Sequence, residues 1–483
     1  MKIATYKLTN LGAGNHILRA KATDGTLVSA FSNAISYSRV AVHTAVLNCS
    51  TNAPTAVSIG KSLTASFLTH GGDYANYTFA TGTILVKMDD GTGTLQDITS
   101  TAWSYSTGSD GREIGIVQIE NVTGTVYISV TAGEEAVANY ILFAGETSDF
   151  TLKATNKSWN GTVEYSTDKN TWSTWDGSEI PSANKKLYLR GKNNTTFYSK
   201  KGAQFVLSEK AGCYGNINTL LDYENPPTTI AKSYCYSSMF QGCTSLTEAP
   251  ALPATTLETG CYTRMFQGCT SLTAAPELPA TTLANFCYSD MFRDCTSLTA
   301  APALPATTLQ NGCYAEMFQG CTSLAEAPEL PATTLADSCY SSMFYGCTSL
   351  TAAPALPVTT LASSCYMGMF YGCTSLTAAP ALPATTLQNG CYAEMFQGCT
   401  SLAEAPALPA TTLEFYCYQR MFQGCRRIKI SATQTGEYTT AWRIPSNGEI
   451  SAEEYNWNND MLKNTGGTFK GNPSINTTYY MAG

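Results

Sequence analysis

The sequence predicts a mainly β protein in which N-terminal β-sandwich modules precede an α/β solenoid closed by capping segments. Three observations predict this class. A unit of 26 residues begins at Cys235 and recurs without a break in register, as in proteins built from stacked coils. Before it, apolar and polar residues alternate in runs such as GTILVKMDD and IGIVQIENV, a pattern typical of strands with one buried face. Degenerate sequence flanks the repeats at both ends, as terminal coils require.

The repeat combines two local patterns. Apolar residues four apart predict one face of a short helix at the start of each copy; in the first copy they are Cys235, Tyr236, Met239, Phe240 and Cys243. Gly242 and Pro250 would end that helix. Three leucines then follow in a Pro- and Thr-rich segment that favours extended backbone. One copy buries too little to offset its loss of chain entropy, whereas a stack that shares faces can fold.

The segment MFQGCTSLTEAPALPATTL resembles the repeats of the BspA-like leucine-rich-repeat surface proteins, a family of bacterial and phage-borne binding proteins. The likeness covers Cys213 to Ile430. It implies a leucine-rich-repeat solenoid over residues 211–430, with a degenerate cap and eight repeats. It implies little about the ligand, because such repeats are scaffolds whose partners vary.

Three β segments are expected before the repeats. Residues 1–39, with LGAGNHILRAKA and SAFSNAISY, resemble the last strands of a fibronectin type III module. Residues 40–144, with DITSTAWSYSTGSDG and IVQIENVTGTVYISVTA, resemble the immunoglobulin-like modules of phage tail and bacterial surface proteins. Residues 145–210 form a small module that contains Trp159, Trp172 and Trp175. These tryptophans are either a sugar-stacking platform or the anchors of a small core.

Residues 431–483 are expected to cap the last coil. Ser451 and Glu454 have the spacing of a capping box. They predict a short helix that carries Trp457, Met461 and Leu462.

Charge and composition exclude several classes of partner. The net charge of −8, without a basic stretch, argues against nucleic acid. No run of 18 apolar residues occurs, so no membrane insertion is expected. The first residues, MKIATYKLTNLGAGNH, lack the apolar segment of a standard export signal.

No cofactor, metal or enzymatic activity is predicted. Within a repeat the cysteines form C-x7-C and no histidine occurs, which does not suit zinc. On a helix these two Cα atoms would lie ~12 Å apart, beyond the reach of a disulfide, so buried reduced thiols are expected. The three histidines, His16, His43 and His70, have no nucleophile pattern around them. A hidden pair of catalytic carboxylates stays open.

Recognition would fall to positions that differ between repeats. These are the two residues after Cys-Tyr, the two before the second cysteine and the three before the next repeat. They contribute the candidate binding residues Phe286, Tyr345, Tyr371, Phe415 and Tyr416, to which Trp172 and Trp175 are added. Tyr345 and Tyr371 hold the same position in adjacent repeats, so they should stack side by side. Ordinary surface decoration is the alternative.

The expected function is non-enzymatic binding or adhesion. The module resemblances imply a phage tail fibre or receptor-binding component, assembled in the host cytoplasm and carried on the virion. Its partners would be a bacterial surface glycan or protein and other tail or stalk subunits, in a possible homotrimer. The alternative is a bacterial cell-surface adhesin of the BspA-like family.

Overall fold

The structure, a computed structural model, is mostly β-strand in several small, mainly antiparallel sheets. It describes residues 14–18, 35–47, 49–54, 56–58, 61–69, 77–89, 94–107, 113–134, 139–198, 204–444 and 457–482. In this part of the chain, helix is confined to α1 (Thr99–Ala102) and a 3-10 turn at Ile217–Leu220. None of the described helices is long and apolar enough to cross a membrane. The chain divides into two compact units, Met1–Ala138 and Asn139–Gly483.

The first unit contains two sheets that bury one core. Its strands are β1 (Gly14–Leu18), β2 (Ile35–Leu47), β3 (Cys49–Thr51), β4 (Ala56–Ser58), β5 (Leu63–Thr69), β6 (Tyr77–Asp89), β7 (Leu95–Asp97), β8 (Trp103–Thr107), β9 (Glu113–Ile119) and β10 (Val126–Glu134). One sheet has the order β1-β2-β10-β6-β7, with β4 also paired to β2, and the other β3-β5-β9-β8. Alternate residues such as Phe67, Val117 and Val130 are fully buried between them. Strand β2 is continuous across the predicted module boundary at residue 40.

The second unit begins with two further sheets. Its strands are β11 (Ile141–Gly145), β12 (Thr151–Ala154), β13 (Thr162–Ser166), β14 (Ser173–Thr174), β15 (Ile180–Pro181), β16 (Lys186–Lys192), β17 (Phe205–Leu207) and β18 (Ala211–Tyr214). The orders are β14-β13-β16-β11-β18 and β15-β12-β17. Strand β18 also forms backbone hydrogen bonds with the first repeat, for example from Ala211 N to Ser245 O at 3.1 Å. Residues 145–210 and the repeats therefore lie in one unit with one continuous core.

The predicted helix at the start of each repeat is wrong. Cys235–Cys243 and its counterparts, here called the turn segments, consist of consecutive turns. Every fourth residue has a positive φ, in the first repeat Tyr234 (59°), Ser238 (62°) and Gly242 (73°). A left-handed residue at this interval prevents a right-handed helix. The spacing of four that suggested a helix is instead the period of the turns.

Hydrogen bonds explain why this backbone is stable. Alternate amides close turns within the segment, such as Met239 N to Tyr236 O at 3.2 Å. The amides between them donate to the next repeat, as from Tyr236 N to Cys261 O and from Phe240 N to Met265 O, at 2.8 and 2.9 Å. Half of the amides in a turn segment therefore have a hydrogen-bond acceptor only when the next turn segment lies beside it. Every repeat needs another repeat or a cap next to it.

Two aromatic ladders run through the interior of the repeats. The tyrosines from Tyr236 to Tyr418 stack with ring centroids 5.7–6.1 Å apart. The phenylalanines from Phe240 to Phe422 stack at 5.5–5.8 Å. The remaining segment of each repeat is extended and forms parallel bridges at the same 26-residue interval, such as Thr256 with Thr282 and Ala300 with Glu326. Equivalent residues of successive repeats are therefore neighbours throughout.

Both ends of the ladders are closed by residues outside the repeats. At the first end, Phe197 stacks on Tyr236 at 5.9 Å, and Phe205 packs edge-on against Phe240 at 5.6 Å. At the other end, Tyr418 N and Phe422 N donate to Trp457 O and Met461 O. Trp457–Asn464 is a further turn segment with positive φ at Asp460 and Asn464.

The predicted capping helix is therefore wrong where the structure describes it. Its capping box, Ser451 to Glu454, lies outside the described residues. The rest of the C-terminal segment forms a sheet of order β19-β21-β20, whose strands are β19 (Ile430–Ser431), β20 (Tyr438–Arg443) and β21 (Thr478–Ala482).

The cysteines of the repeats pack as small apolar side chains. Every cysteine from Cys213 to Cys425 is a buried free thiol. From Cys269 onward, the second thiol of each repeat lies 2.9–3.1 Å from the phenylalanine carbonyl oxygen of the repeat before it. Burial raises the pKa of Cys287 and Cys295 to about 12. The free thiols agree with the expectation, although the helical distance used to argue for them does not apply.

The tyrosine ladder provides a matched pair of stability tests. Tyr262 is buried, and its hydroxyl has no hydrogen-bond partner among the described residues. The Tyr236 hydroxyl lies 3.1 Å from Asn218 Oδ1 and 3.2 Å from Ile217 O. We expect Tyr262→Phe to leave the free energy of unfolding unchanged or raise it, because a buried unpaired hydroxyl costs ~1–3 kcal/mol. Tyr236→Phe should lower it by ~1 kcal/mol. Urea denaturation would measure both free energies of unfolding. Equal losses would contradict the difference in hydrogen bonding between the two hydroxyl groups.

Candidate functional site

The variable positions of the repeats share one side of the turn segments. They are the fourth and seventh residues of each repeat and the last residue of the repeat before it, here called the turn face. The fourth and last positions have positive φ, as does the eighth, which is glycine in every repeat except at Asp294. Glycine adopts this conformation freely, whereas a side chain there is strained. Arg264, Glu316, Glu394 and Arg420 nevertheless occupy it, with φ between 51° and 59°.

Tyr345 and Tyr371 form the pair that the repeat register predicts. Their rings are stacked with centroids 4.4 Å apart and planes 10° apart, closer than any pair in the buried ladders. Both are half-buried. Burial, followed by the neighbouring Tyr345 and Glu394, raises the pKa of the Tyr371 phenol. The inner ring faces cover each other, so the pair can offer a ligand its outer faces, ring edges and hydroxyl groups.

The residues beside this pair are short at the fourth position of the repeat. The two repeats that contain the tyrosines have Ser342 and Gly368 there, whereas the flanking repeats have Glu316 and Glu394. Met367, beside Gly368, is 37% exposed. The surface around the tyrosine pair therefore combines aromatic and thioether groups with hydroxyl groups, between two carboxylates.

Ion pairs flank the tyrosine pair on the turn face. Arg293 Nη1 lies 2.6 Å from Glu316 and 3.1 Å from Asp290. Burial and the adjacent Asp290 carboxylate raise the pKa of Glu316. Further along, Arg420 Nη1 lies 3.2 Å from Glu394. Both carboxylates beside the tyrosine pair are thus already paired, which favours a ligand that is not strongly cationic.

The other candidates of the repeats lie apart from the tyrosine pair. Phe415 and Tyr416 are 37% and 44% exposed, with ring centroids 6.0 Å apart. Phe286 is 46% exposed and its ring lies over Gly312. A Cβ atom on Gly312 would lie only 2.4 Å from that ring. Tyr234 is 39% exposed and lies over Gly260 in the same way. Sequence reasoning missed Tyr234, although it occupies the same register position as Phe286 and Tyr416.

The two tryptophan candidates have different environments. Trp175 is 1% exposed, stacks on Trp159 at 5.1 Å and donates from Nε1 to Ser178 O. Trp175 is therefore too deeply buried to contact a ligand. Its burial agrees with the alternative that the tryptophans anchor a small core. Trp172 is half-buried, with the Arg190 guanidinium 4.0 Å from its ring centre. Its ring is thus used by a cation–π contact.

Neither the arrangement of side chains nor comparison identifies a catalytic centre. No group of three or more His, Cys, Asp or Glu side chains in the described part of the chain could hold a metal ion. Comparisons with protein-family models, curated proteins and solved structures gave no match.

Proposed function

We propose that the repeats form a solenoid scaffold and that the chain is a non-enzymatic binding protein. In this proposal it is a phage tail fibre or receptor-binding component that contacts a bacterial surface glycan or protein through the turn face. The observation that carries the proposal is a contrast between two sets of positions. Inward residues repeat almost without change, while the turn face varies from repeat to repeat, even where a side chain must adopt a positive φ.

The tyrosine pair is the proposed centre of this binding surface. Six other turn segments have Gln or Arg at that position, so the tyrosines are not required by the fold. Tyrosine supplies large, rigid contact area together with a hydrogen-bonding group, a combination enriched at binding surfaces. The alternative proposal, a bacterial surface adhesin of the BspA-like family, uses the same surface.

Replacing the pair should weaken binding to bacteria. We expect the double variant Tyr345→Gln, Tyr371→Gln to bind target cells at least ~10-fold more weakly, as the loss of a binding hot spot would cause. Glutamine is native at this position in several repeats, so the fold should persist. The measurement is cell binding by flow cytometry with labelled protein on a panel of bacterial strains.

The matched control is the double variant Gln319→Ala, Gln423→Ala. These glutamines are the seventh residues of their repeats, as the two tyrosines are, and the variant should bind as the parent does. A parent protein that binds no strain, or a tyrosine variant that binds normally, would refute the proposal. Light scattering separates the two versions of it. A trimer supports the tail fibre, and a monomer near 51.6 kDa supports the adhesin.

A further inference from the structure

Three exposed aromatic side chains line the start of the repeats. Tyr198, Tyr234 and Phe286, here called the aromatic strip, are 37%, 39% and 46% exposed. The rings of Tyr198 and Tyr234 have centroids 5.4 Å apart. Tyr234 and Phe286 hold the same register position two repeats apart. The strip is separate from the Tyr345–Tyr371 pair, which lies at another position in later repeats.

Backbone conformation shows that this position is a costly one for an aromatic residue. Tyr234 and Phe286 have φ of 59° and 55°. For a bulky residue such a conformation is a strained outlier. Elsewhere the same position holds Gly260, Gly312, Ser338, Ser364 and Gly390, which tolerate it better, and one further aromatic residue, Tyr416. Burial offsets the strain only in part, because 39% of Tyr234 and 46% of Phe286 stay exposed.

Glycines allow both rings to lie along the surface. A Cβ atom on Gly260 would lie 2.4 Å from Tyr234 Cε1, and one on Gly312 would lie 2.4 Å from Phe286 Cδ1. Each ring therefore rests across the backbone of the following repeat. Tyr234 has Gly260 on one side and the ring of Tyr198 beside it. A ligand would therefore meet the exposed edges of these two rings and the exposed surface of Phe286.

Uncharged polar residues directly precede three of these register positions, and the exposed charged residues nearest in sequence, Lys232 and Glu258, have opposite signs. The residues that precede Gly260, Phe286 and Gly312 are Thr259, Asn285 and Asn311. Asn285 and Asn311 are exposed, and Asn285 Oδ1 accepts a hydrogen bond from Asn311 N at 3.2 Å. Amide and hydroxyl groups both donate and accept hydrogen bonds. They complement sugar hydroxyls, while flat aromatic faces complement the C–H faces of pyranose rings.

We infer that the aromatic strip binds an uncharged polysaccharide. An extended chain lying along the repeats would place sugars against the exposed rings of the strip, with hydroxyl groups towards the asparagines. Several weak contacts in a row would add up by multivalency. This inference names a ligand class for the proposed binding function and rests on it.

The test changes two residues at one register position. The double variant Tyr234→Ser, Phe286→Ser introduces the residue that Ser338 and Ser364 place there with φ of 53°, so folding should be preserved. Leu95→Ser is the control, since Leu95 is an exposed apolar residue of β7, 48% exposed, and lies outside the repeats. Affinity electrophoresis would use native gels containing hydroxyethyl cellulose, xylan, galactomannan or dextran, with polygalacturonate as the charged comparison.

We expect at least one neutral polysaccharide to retard the parent and Leu95→Ser equally. The double variant should bind it at least ~10-fold more weakly, as expected when aromatic anchors are removed. Retardation by no neutral polysaccharide, by polygalacturonate alone, or equally in all variants would overturn the inference. In that case, binding of the parent to cells in the flow-cytometry assay would still support the proposed function. Retardation without cell binding would refute the proposed function and keep the inference.

Discussion

Met317→Asp is expected to unfold the middle of the repeats rather than a single repeat. Met317 is fully buried in the fourth repeat, and its carbonyl accepts a hydrogen bond from Phe292 N of the third. Its own neighbour Phe318 stacks on the phenylalanines of the repeats before and after it, at 5.7 and 5.8 Å. An unpaired charge in such a core costs ~3–5 kcal/mol. The damage should spread because each turn segment depends on its neighbours for hydrogen bonds.

Hydrogen–deuterium exchange, resolved by peptide, would measure this spread. Exchange should accelerate in the third and fifth repeats as well as the fourth. Ser342→Asp is the control, because the fourth position of a turn segment already holds Asp290 and Asp460; its effect should stay within ~0.5 kcal/mol. Faster exchange confined to the fourth repeat would contradict the shared core and the scaffold proposed from it.

The sequence was sufficient to predict which residues of the repeat are buried. A strict 26-residue period, with Cys, Tyr, Met, Phe and Leu at fixed places, indicates neighbours that stack in register. The structure places Tyr262, Phe266 and Leu272 in the core, as that period predicts. The predicted stacking of Tyr345 on Tyr371 is also observed, at 4.4 Å, because one register governs both the interior and the surface.

The local conformation could not be predicted in the same way. A spacing of four residues fits a helix of 3.6 residues per turn, and it also fits turns that place a left-handed residue at every fourth position. Glycine is regular at only one of those positions, Gly242 and its equivalents, and is sporadic at the other two, as at Gly260 and Gly368. Arg264, Glu316 and Ser342 occupy another, and their side chains give no sign of positive φ. The inter-repeat hydrogen bonds that stabilise this backbone have no signature in the sequence.

The sequence did not predict the ends of the ladders or part of the candidate site, because both are formed by residues that are distant in the chain. Trp457–Asn464 continues the stack after an interval longer than 26 residues, with Trp457 where a cysteine would stand, so periodicity did not reveal it. Trp175 was indistinguishable from Trp172 as a ligand contact until the structure buried it under Trp159. Tyr234, by contrast, could have been found by extending the register of Phe286 back two repeats.

Alkaline pH is expected to unfold the repeats cooperatively. Burial raises the pKa of Cys235, Cys287, Cys295 and Cys417 from an ordinary 9.0 to about 12. It also raises the pKa of the ladder tyrosines, such as Tyr262, well above 10.0. Above pH 9 the unfolded chain therefore loses protons that the folded chain retains, and unfolding is favoured. The stabilisation is fully present below pH 9 and is lost as the pH rises towards 12.

The size of this effect follows from the number of thiols that titrate together. Each one lowers the free energy of unfolding by about 1.4 kcal/mol per pH unit above its unfolded pKa, and a typical domain is stable by only about 5–15 kcal/mol. Unfolding of neighbouring repeats as a group should therefore occur between about pH 9 and 11. Circular dichroism with urea at pH 7, 8, 9 and 10 would measure it, since the urea midpoint should be constant up to pH 8 and fall steeply beyond.

Removing two of the thiols isolates their contribution. Cys313→Ala with Cys321→Ala should lower stability at pH 7, because both side chains are fully buried and their loss leaves cavities. The same variant should reduce the slope of stability against pH above 9, since two groups no longer titrate. A cavity alone would shift the curve without changing that slope. An unchanged slope, or a urea midpoint that is constant up to pH 10 in the parent, would mean that the buried thiols do not ionise on unfolding, as in disulfide-bonded repeats.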